Sequence, residues 1–439
     1  MKYFKFHSLL LKEGWLSPAY VGIDDKGIVQ YLSGNEPLIK ETVEVVNGAA
    51  LPGFQNAHSH AFQYSMAGMA EQHAADTSDD FWSWREAMYA CAGSFTPEQM
   101  EKVATTLYRH LLRNGYTSVA EFHYLHHDEQ GKPYNNLAEM GERLVAAAKT
   151  AGIKITLVPI FYQKGDFGKD PLPRQYRFIT ATLNNYFKLL DSSRQAVAFY
   201  EHAKLGFGVH SLRAVDARDI ITTYEKGPKE LPFHLHAAEQ LGEVERCIDY
   251  LGKRPIEWLL DNLPLNSRFH IVHCTHMTAL ETERLANSGA NAVLCPGTEG
   301  NLGDGIFPLK SFAQHGGNWS IGTDSHISLN PLEDLRWLDY AQRLITHKRN
   351  TFADGAAVLI KKAFFSGIKA MGSNTQDYFA IGQPLDAVVY DITQPLLAQV
   401  GTKHLLPAIV YTADTSVVAG TLVNGSWKYK KQHAMNCEL

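Results

Sequence analysis

The segment from Gly48 to His60 reads GAALPGFQNAHSH, an apolar run that ends in a His-x-His pair. Residues two apart in an extended strand point to the same face, so His58 and His60 can present both imidazoles to one metal ion. A short, almost uninterrupted apolar run is typical of a strand that is buried on both faces. The segment therefore predicts an interior strand that delivers two metal ligands at its carboxyl end.

Seven more segments share this short, apolar character, and helical stretches separate them. With the first, the predicted strands are residues 51–58, 116–123, 153–160, 204–210, 231–236, 268–273, 291–295 and 318–324. Pro97 to Asn114 is a predicted helix, because Leu107, Leu111 and Leu112 fall at helical spacing before Gly115. Eight successive βα units predict an α/β fold, a (β/α)8 barrel of the TIM type.

The two ends of the chain have the pattern of antiparallel hairpins. Tyr20 to Leu32 turns at Asp24-Asp25-Lys26-Gly27, and Ser416 to Tyr429 turns at Asn424-Gly425. We expect residues 1–50 and 380–439 to form one small β-sandwich domain beside a barrel of residues 51–379.

Composition narrows the possible partners. The chain has 439 residues, 45% of them hydrophobic, and a formal charge of -5, which offers no basic surface for nucleic acid. No stretch approaches the roughly 18 consecutive apolar residues of a membrane span. Five scattered cysteines without a Cys-x-x-Cys pair are typical of reduced thiols in a cytoplasm. We expect a cytoplasmic protein, a homodimer as large barrels often are, that acts on a small molecule.

The polar residues of interest lie where the predicted strands end. His236 ends the fifth strand, His273 the sixth and Asp324 the eighth. Catalytic groups of TIM barrels come from the carboxyl ends of several strands, so these side chains are expected to meet His58 and His60. Three imidazoles and one carboxylate suit zinc with an open position for water.

Two further side chains have expected catalytic roles. Glu239 follows His236 by three residues, where it can stand beside the metal as a proton shuttle; the alternative is an ordinary acidic residue in the first turn of a helix. His273 is either another ligand or a group that polarises water or substrate, and we favour the second. Asp324 is both a ligand and a possible acceptor of the water proton.

This arrangement of histidines and an aspartate on strands one, five, six and eight resembles the amidohydrolase superfamily. His210 stands at the end of strand four, where the two-metal members carry a carboxylated lysine, so the resemblance is to the mononuclear deaminase branch. Four longer segments are similar to the formimidoylglutamate deiminases: His58 to Gln63, Phe81 to Arg85, Glu121 to His127 and Asn301 to Pro308.

The resemblance implies an enzyme of histidine degradation that converts N-formimino-L-glutamate and water into N-formyl-L-glutamate and ammonia. It implies one Zn²⁺ per subunit with the ligands His58, His60, His236 and Asp324, and proton transfer and polarisation by Glu239 and His273. It implies substrate contacts from Gln63, Arg85, Tyr124, His210 and Arg213. The two arginines could accept the two carboxylates of this substrate as bidentate partners.

Two alternatives stay open at this point. One is a related deaminase that acts on another amidine or on a purine such as guanine. The other is a metal-bearing scaffold that binds a partner without turnover, although such a protein is expected to lack some of the ligands or the acid.

Overall fold

The computed structural model describes residues 1–38, 42–71, 80–349 and 351–432. Its strands are β1 (Lys2–Leu11), β2 (Gly14–Leu16), β3 (Ala19–Ile23), β4 (Val29–Ser33), β5 (Val43–Pro52), β6 (Phe54–Ser59), β7 (Tyr116–His123), β8 (Lys154–Phe161), β9 (Ala203–Leu205), β10 (Phe207–Ser211), β11 (Phe233–Ala237), β12 (Phe269–His273), β13 (Asn291–Leu294), β14 (Asn318–Ile321), β15 (Ala387–Asp391), β16 (Val418–Val423) and β17 (Ser426–Lys430).

Its α-helices are α1 (Phe81–Gly93), α2 (Pro97–Arg113), α3 (Glu139–Ala151), α4 (Leu183–Val197), α5 (Ala217–Lys226), α6 (Leu241–Leu251), α7 (Pro255–Asn262), α8 (Ala279–Ser288), α9 (Pro296–Asn301), α10 (Leu309–Gln314), α11 (Pro331–Thr346), α12 (Gly355–Ala370), α13 (Pro395–Ala398) and α14 (Thr402–Thr412). Turns of 3-10 helix occupy Ala61–Met66, Pro173–Phe178 and Thr415–Val417. None of the helices described is long and apolar enough to cross a membrane.

Eight parallel strands form the predicted barrel in the order β6-β7-β8-β10-β11-β12-β13-β14, and the short β9 pairs with β8. Each overlaps one predicted strand, and β7 coincides with the predicted residues 116–123. Every residue of β6, β7, β10, β11 and β12 is buried, as expected for strands covered on both faces. The predicted fold class is confirmed.

The barrel closes between β14 and β6 through a narrow seam. Ser59 forms an isolated parallel bridge with Asp324. The Asp324 backbone N–H donates to the His58 carbonyl at 3.0 Å, and the His60 N–H donates to the Asp324 carbonyl at 3.2 Å. Closure of the barrel therefore brings three of the four expected metal ligands to one place.

The termini build a separate sheet in the order β17-β16-β15-β5-β1-β3-β4, with β2 paired to β1. Both predicted hairpins are present as the antiparallel pairs β3/β4 and β16/β17. Alternate residues of β15 face opposite sides: Val388 and Tyr390 pack against the barrel core, whereas Ala387 and Val389 belong to the core of this sheet. The division at residues 50 and 380 stays a prediction, and Cys437 lies outside the described residues.

The helix α2 shows why the helix predicted at Pro97 forms where it does. Thr96 and Gln99 make a capping box, and Pro97 occupies the first turn, where its missing N–H costs nothing. Gly115 follows in the left-handed region at a φ of 94° and turns the chain into β7.

Candidate metal centre and active site

Four side chains converge at the carboxyl end of the barrel. The Nε2 atom of His58 lies 3.1 Å from Nε2 of His60 and 3.0 Å from Nε2 of His236. Asp324 Oδ1 lies 3.4 Å from His58 Nε2 and 3.2 Å from His60 Nε2. All four side chains are buried, and their ligand atoms lie within 4.8 Å of one another. The ligands of a tetrahedral zinc site are spaced similarly, roughly 3.4 Å apart.

The hydrogen bonds made by the Nδ1 atoms of His60 and His236 show which ring nitrogens are free to bind a metal. His60 Nδ1 lies 2.9 Å from the Phe122 carbonyl oxygen, and His236 Nδ1 lies 3.1 Å from the His210 carbonyl oxygen. A carbonyl only accepts, so both Nδ1 atoms carry hydrogen, and Nε2 is the atom of each ring that is left to present a lone pair to a cation. Burial lowers the pKa of His58 to about 3, which favours the neutral form of that ring. Converging lone pairs beside a carboxylate fit a bound cation.

The backbone at the barrel mouth adopts left-handed conformations that are rare for residues with a side chain. Among the described residues, five of the seven such non-glycine positions lie at the end of β12 or in the loops that follow β11, β12 and β14: Ala238, His273, Cys274, Asp324 and His326. Each conformation costs on the order of 1–3 kcal/mol and persists only where surrounding structure enforces it. The strain is thus concentrated where the expected ligands and catalytic residues lie.

Gly322→Ala tests the close approach at the seam. A Cβ atom at this position would lie 2.7 Å from His58 Cβ and 2.8 Å from the His58 backbone nitrogen, so the strands must separate. We expect the free energy of unfolding in urea to fall by about 1–3 kcal/mol and the bound metal per chain to decrease. Gly93→Ala is the matched control, because nothing lies within 4 Å of its added Cβ. An equal free energy of unfolding in the two variants would contradict the crowding at Gly322.

Glu239 lies beside this cluster on the turn between β11 and α6. Its backbone N–H donates to Glu243 Oε2 at 3.0 Å, and the Ala238 N–H lies 3.3 Å from Glu243 Oε1, so Glu243 holds the turn. Burial, assisted by Asp324 and Glu243, raises the pKa of Glu239 to about 7, although His273 opposes the shift. The carboxyl group is placed beside the ligand cluster rather than within it.

His273 occupies the space between Glu239 and Asp324. Its Nε2 atom lies 3.5 Å from Glu239 Oε1 and 3.7 Å from Asp324 Oδ2. Burial opposes a charged ring here, but the carboxylates of Glu239, Glu299 and Asp324 outweigh it and raise the pKa of His273. His273 is not a member of the group formed by His58, His60, His236 and Asp324, and its role as a polarising group stays a prediction.

A cavity opens above these residues, a concave place of the kind in which small molecules bind. The structure brings together at this cavity all the expected catalytic and substrate-binding side chains and three of the four expected ligands: His60, Gln63, Arg85, Tyr124, His210, Arg213, His236, Glu239, His273 and Asp324. His58, the fourth ligand, lies beneath it and is fully buried. Their roles stay predictions.

The two arginines at the cavity differ in how their N–H groups are used. Arg85 Nε donates to the Tyr89 hydroxyl at 2.7 Å. Arg213 is 5% exposed, and its Nε and Nη1 atoms have no hydrogen-bond partner among the described residues. Its guanidinium lies 5.9 Å from the Phe81 ring and 5.7 Å from the Trp82 ring. A buried cation with free donors is suited to an anionic ligand.

Sequence reasoning missed several carboxylates that support the site. Glu121 is buried in β7, where it accepts from the Ser59 hydroxyl at 2.7 Å and the Ala61 N–H at 2.6 Å. Asp304 accepts from Gln240 and lies close to Glu239 and His273. The available signals were a glutamate inside an apolar strand and an aspartate within the segment from Asn301 to Pro308.

Comparisons with known proteins agree over nearly the whole chain. The sequence model of the amidohydrolase family matches residues 49–428. The formimidoylglutamate deiminase of Pseudomonas aeruginosa is 40% identical over 423 residues, which are 95% of this chain and 92% of that enzyme. The crystal structure of an amidohydrolase from Brucella melitensis has a TM-score of 0.90 at 38% identity and covers 98% of this chain and 95% of its own. A zinc-bound adenosine deaminase from Xanthomonas campestris shares the fold with a TM-score of 0.80 at 19% identity, covering 98% and 92%.

Proposed function

The chain belongs to the amidohydrolase family, and on this premise we propose that it hydrolyses N-formimino-L-glutamate to N-formyl-L-glutamate and ammonia, as in histidine degradation. One observation carries the proposal: the cavity that lies above the four-ligand cluster and is lined by Glu239 is also lined by Arg213, whose Nε and Nη1 donors have no partner among the described residues. The 40% identity to a formimidoylglutamate deiminase supports it.

The proposal includes one Zn²⁺ per subunit, held by His58, His60, His236 and Asp324. Imidazole nitrogens and one carboxylate oxygen are a typical donor set for this ion. Bound there, the ion would act as a Lewis acid that lowers the pKa of water to near 7 and so makes a nucleophile available at neutral pH. The chain supplies the donors already oriented, because two of the rings are fixed by backbone carbonyls.

Glu239 performs the proton transfers. It accepts one proton from the attacking water and passes it to the terminal formimino nitrogen; the second proton of that water, taken by Asp324 or Glu239 as the C=O bond forms, goes to the same nitrogen. A C–O bond forms at the formimino carbon, the C–N bond to that nitrogen breaks, and ammonia leaves. His273 faces both carboxylates and stabilises the attacking oxygen.

Substrate recognition is assigned to Gln63, Arg85, Tyr124, His210 and Arg213. The substrate has two carboxylates, and two guanidinium groups lie in the same cavity. Gln63 Nε2 donates to the Tyr124 hydroxyl at 3.0 Å, which leaves the hydroxyl hydrogen free to donate to a ligand. The arginines thus supply charge, and the neutral residues supply directed hydrogen bonds.

A second candidate is a deaminase of another amidine or of a purine such as guanine. The cavity is also lined by Phe81, Trp84, Tyr89, Tyr162 and Phe178, and such rings could stack on a heterocycle. Two arginines, of which Arg213 is buried, would be unusual in a pocket for a neutral purine, so we prefer the dicarboxylate.

The direct test is ammonia release by the zinc-loaded protein from N-formimino-L-glutamate, N-formimino-L-aspartate and guanine. Release from the glutamate compound at a kcat/KM well above the other two would support the proposal. Ammonia release only from guanine or another amidine would support the deaminase chemistry but overturn the assignment of N-formimino-L-glutamate as the substrate. No release from any of them by fully metallated protein would favour the scaffold alternative.

Arg213→Met should weaken recognition of a carboxylate without removing the chemistry. A charge-assisted hydrogen bond is worth about 1.5–3 kcal/mol, so we expect kcat/KM for N-formimino-L-glutamate to fall about 10- to 150-fold. Turnover of formamidine, which has no carboxylate, should change little. Arg284→Met is the control, since Arg284 pairs with Asp261 on the surface; an equal loss on both substrates would contradict the assignment.

We also propose a homodimer in the cytoplasm. The four cysteines among the described residues are free, which suits a reducing compartment, and large soluble enzymes commonly assemble with twofold symmetry. Light scattering coupled to gel filtration measures the mass in solution; a monomer at micromolar concentration would overturn the dimer.

A further inference from the structure

His273 is contacted by a carboxylate at each of its two ring nitrogens. Nε2 lies 3.5 Å from Glu239 Oε1 on the cavity side, and Nδ1 lies 3.2 Å from Glu299 Oε1 on the far side. The proposed function uses Glu239 and leaves Glu299 without a role. A carboxylate behind an active-site imidazole can fix both the orientation and the tautomer of the ring.

Glu299 is itself held in one place. It is 5% exposed, and its Oε1 atom also accepts from the Cys295 backbone N–H at 2.9 Å. Its own backbone N–H donates to the Cys295 carbonyl at 2.8 Å, and its carbonyl accepts from the Asp304 N–H at 2.9 Å. The oxygen that meets His273 is therefore anchored by the first turn of α9 and by the segment that follows α9.

The ring of His273 is buried and stacks on the ring of His236, with centroids 5.5 Å apart. The residue ends β12 at a φ of 70°, in the left-handed region, and its side chain is 1% exposed. The Glu299 oxygen that meets the ring also accepts from the Cys295 N–H, so it is an acceptor here and the contact places a hydrogen on His273 Nδ1. Nε2 is then the atom presented to Glu239, Asp324 and the cavity.

We propose that Glu299 is the positioning residue for His273, fixing the hydrogen on Nδ1 and aiming Nε2 at the reacting atoms. The proposal rests on the catalytic role assigned above to His273. The competing explanation is that Glu299 only caps α9, because it is the fourth residue of that helix and binds the N–H of Cys295, the residue before the helix.

Another buried glutamate separates these two explanations. Glu281 is the third residue of α8, is 4% exposed, and accepts from the Thr278 backbone N–H at 2.7 Å in a full capping box. Its charged partner is Arg254, and no histidine ring contact is described for it. Glu281→Met therefore removes a buried capping carboxylate of the same kind without touching the ring of His273.

The kinetic test compares Glu299→Met, Glu299→Gln and Glu281→Met as zinc-loaded proteins. Loss of an outer partner of an active-site histidine typically costs about 10- to 100-fold. We expect that loss in kcat for Glu299→Met, with KM and zinc content unchanged. Glu299→Gln keeps an acceptor oxygen and should recover most of the kcat, whereas Glu281→Met should lower only the melting temperature. Equal kcat in the two methionine variants would overturn the proposal.

A spectroscopic test does not depend on the substrate. A hydrogen-bonded imidazole N–H that is shielded from water gives a far-downfield proton resonance, and His273→Asn identifies the one from this ring. We expect the resonance in the zinc-loaded wild type and in Glu281→Met, and its loss in Glu299→Met. Its persistence in Glu299→Met would overturn the positioning role. If the wild-type protein hydrolyses no amidine but the resonance is lost only in Glu299→Met, the proposed function is overturned and the positioning role of Glu299 is kept.

Discussion

Glu239→Gln is expected to retain its zinc and to lose about 100- to 10,000-fold in kcat, the usual contribution of a general acid and base. The amide has the size of the carboxylate and fits beside His273, but it can neither take a proton from water nor return one to the leaving nitrogen. Glu239 is not among the four closest ligand atoms, so the metal should stay. Initial rates of ammonia release and metal analysis on one preparation give both quantities.

The control for this variant lies on the adjoining helix. Glu245→Gln makes the same chemical change at an exposed position of α6 and should leave kcat within a factor of two. If Glu239→Gln instead loses its zinc, Glu239 acts as a ligand. If it keeps both zinc and more than a tenth of the kcat, another group transfers the proton.

The eight barrel strands were predictable because each is a short apolar run that the fold buries on both faces. The hydrophobic pattern of a segment indicates how much of it is buried. In a parallel barrel the strands are buried on both faces because the helices between them, which the same pattern predicts, cover the sheet. The candidate ligands were predictable for a related reason: once the strands are in a barrel, residues at their carboxyl ends must meet. His58 and Asp324 are 266 positions apart in the chain, yet their side chains lie 3.4 Å apart.

The supporting carboxylates could not be placed in this way. Glu299 meets His273 across 26 residues, and Glu121 meets Ser59 across 62. These contacts depend on the seam, on the first turn of α9 and on left-handed residues at strand ends, none of which has a periodic signature. A glutamate in a helix turn or an apolar strand has the same pattern whether it caps, pairs or positions a histidine.

The geometry of the substrate pocket was likewise set by tertiary packing. The sequence offered Arg85 and Arg213 as two arginines on different segments. Only the folded chain shows that Arg85 is engaged by Tyr89 while Arg213 has free donors among the described residues. That asymmetry makes Arg213 the more informative substitution.

His236→Asn is expected to abolish stoichiometric zinc binding and with it nearly all activity. His236 Nε2 lies 3.0 Å from His58 Nε2, and its loss leaves two imidazoles and one carboxylate on the other side of the site. The metal also stabilises the fold by binding only the folded state: a tightly bound ion at 100 times its Kd contributes about 2.7 kcal/mol. The variant should therefore melt like the chelator-treated wild type, and added zinc should not raise its melting temperature.

His234→Asn is the matched control, because His234 lies two residues earlier on the same face of β11. Its Nε2 atom lies 3.2 Å from the Ala370 carbonyl oxygen, and it is fully buried away from the cluster. The same substitution at this position should lower the melting temperature through a weakened buried hydrogen bond but leave one zinc per chain. If His234→Asn loses zinc and His236→Asn keeps it, the metal is bound elsewhere. If both variants lose zinc, the packing of β11 controls the metal content, rather than ligation by His236.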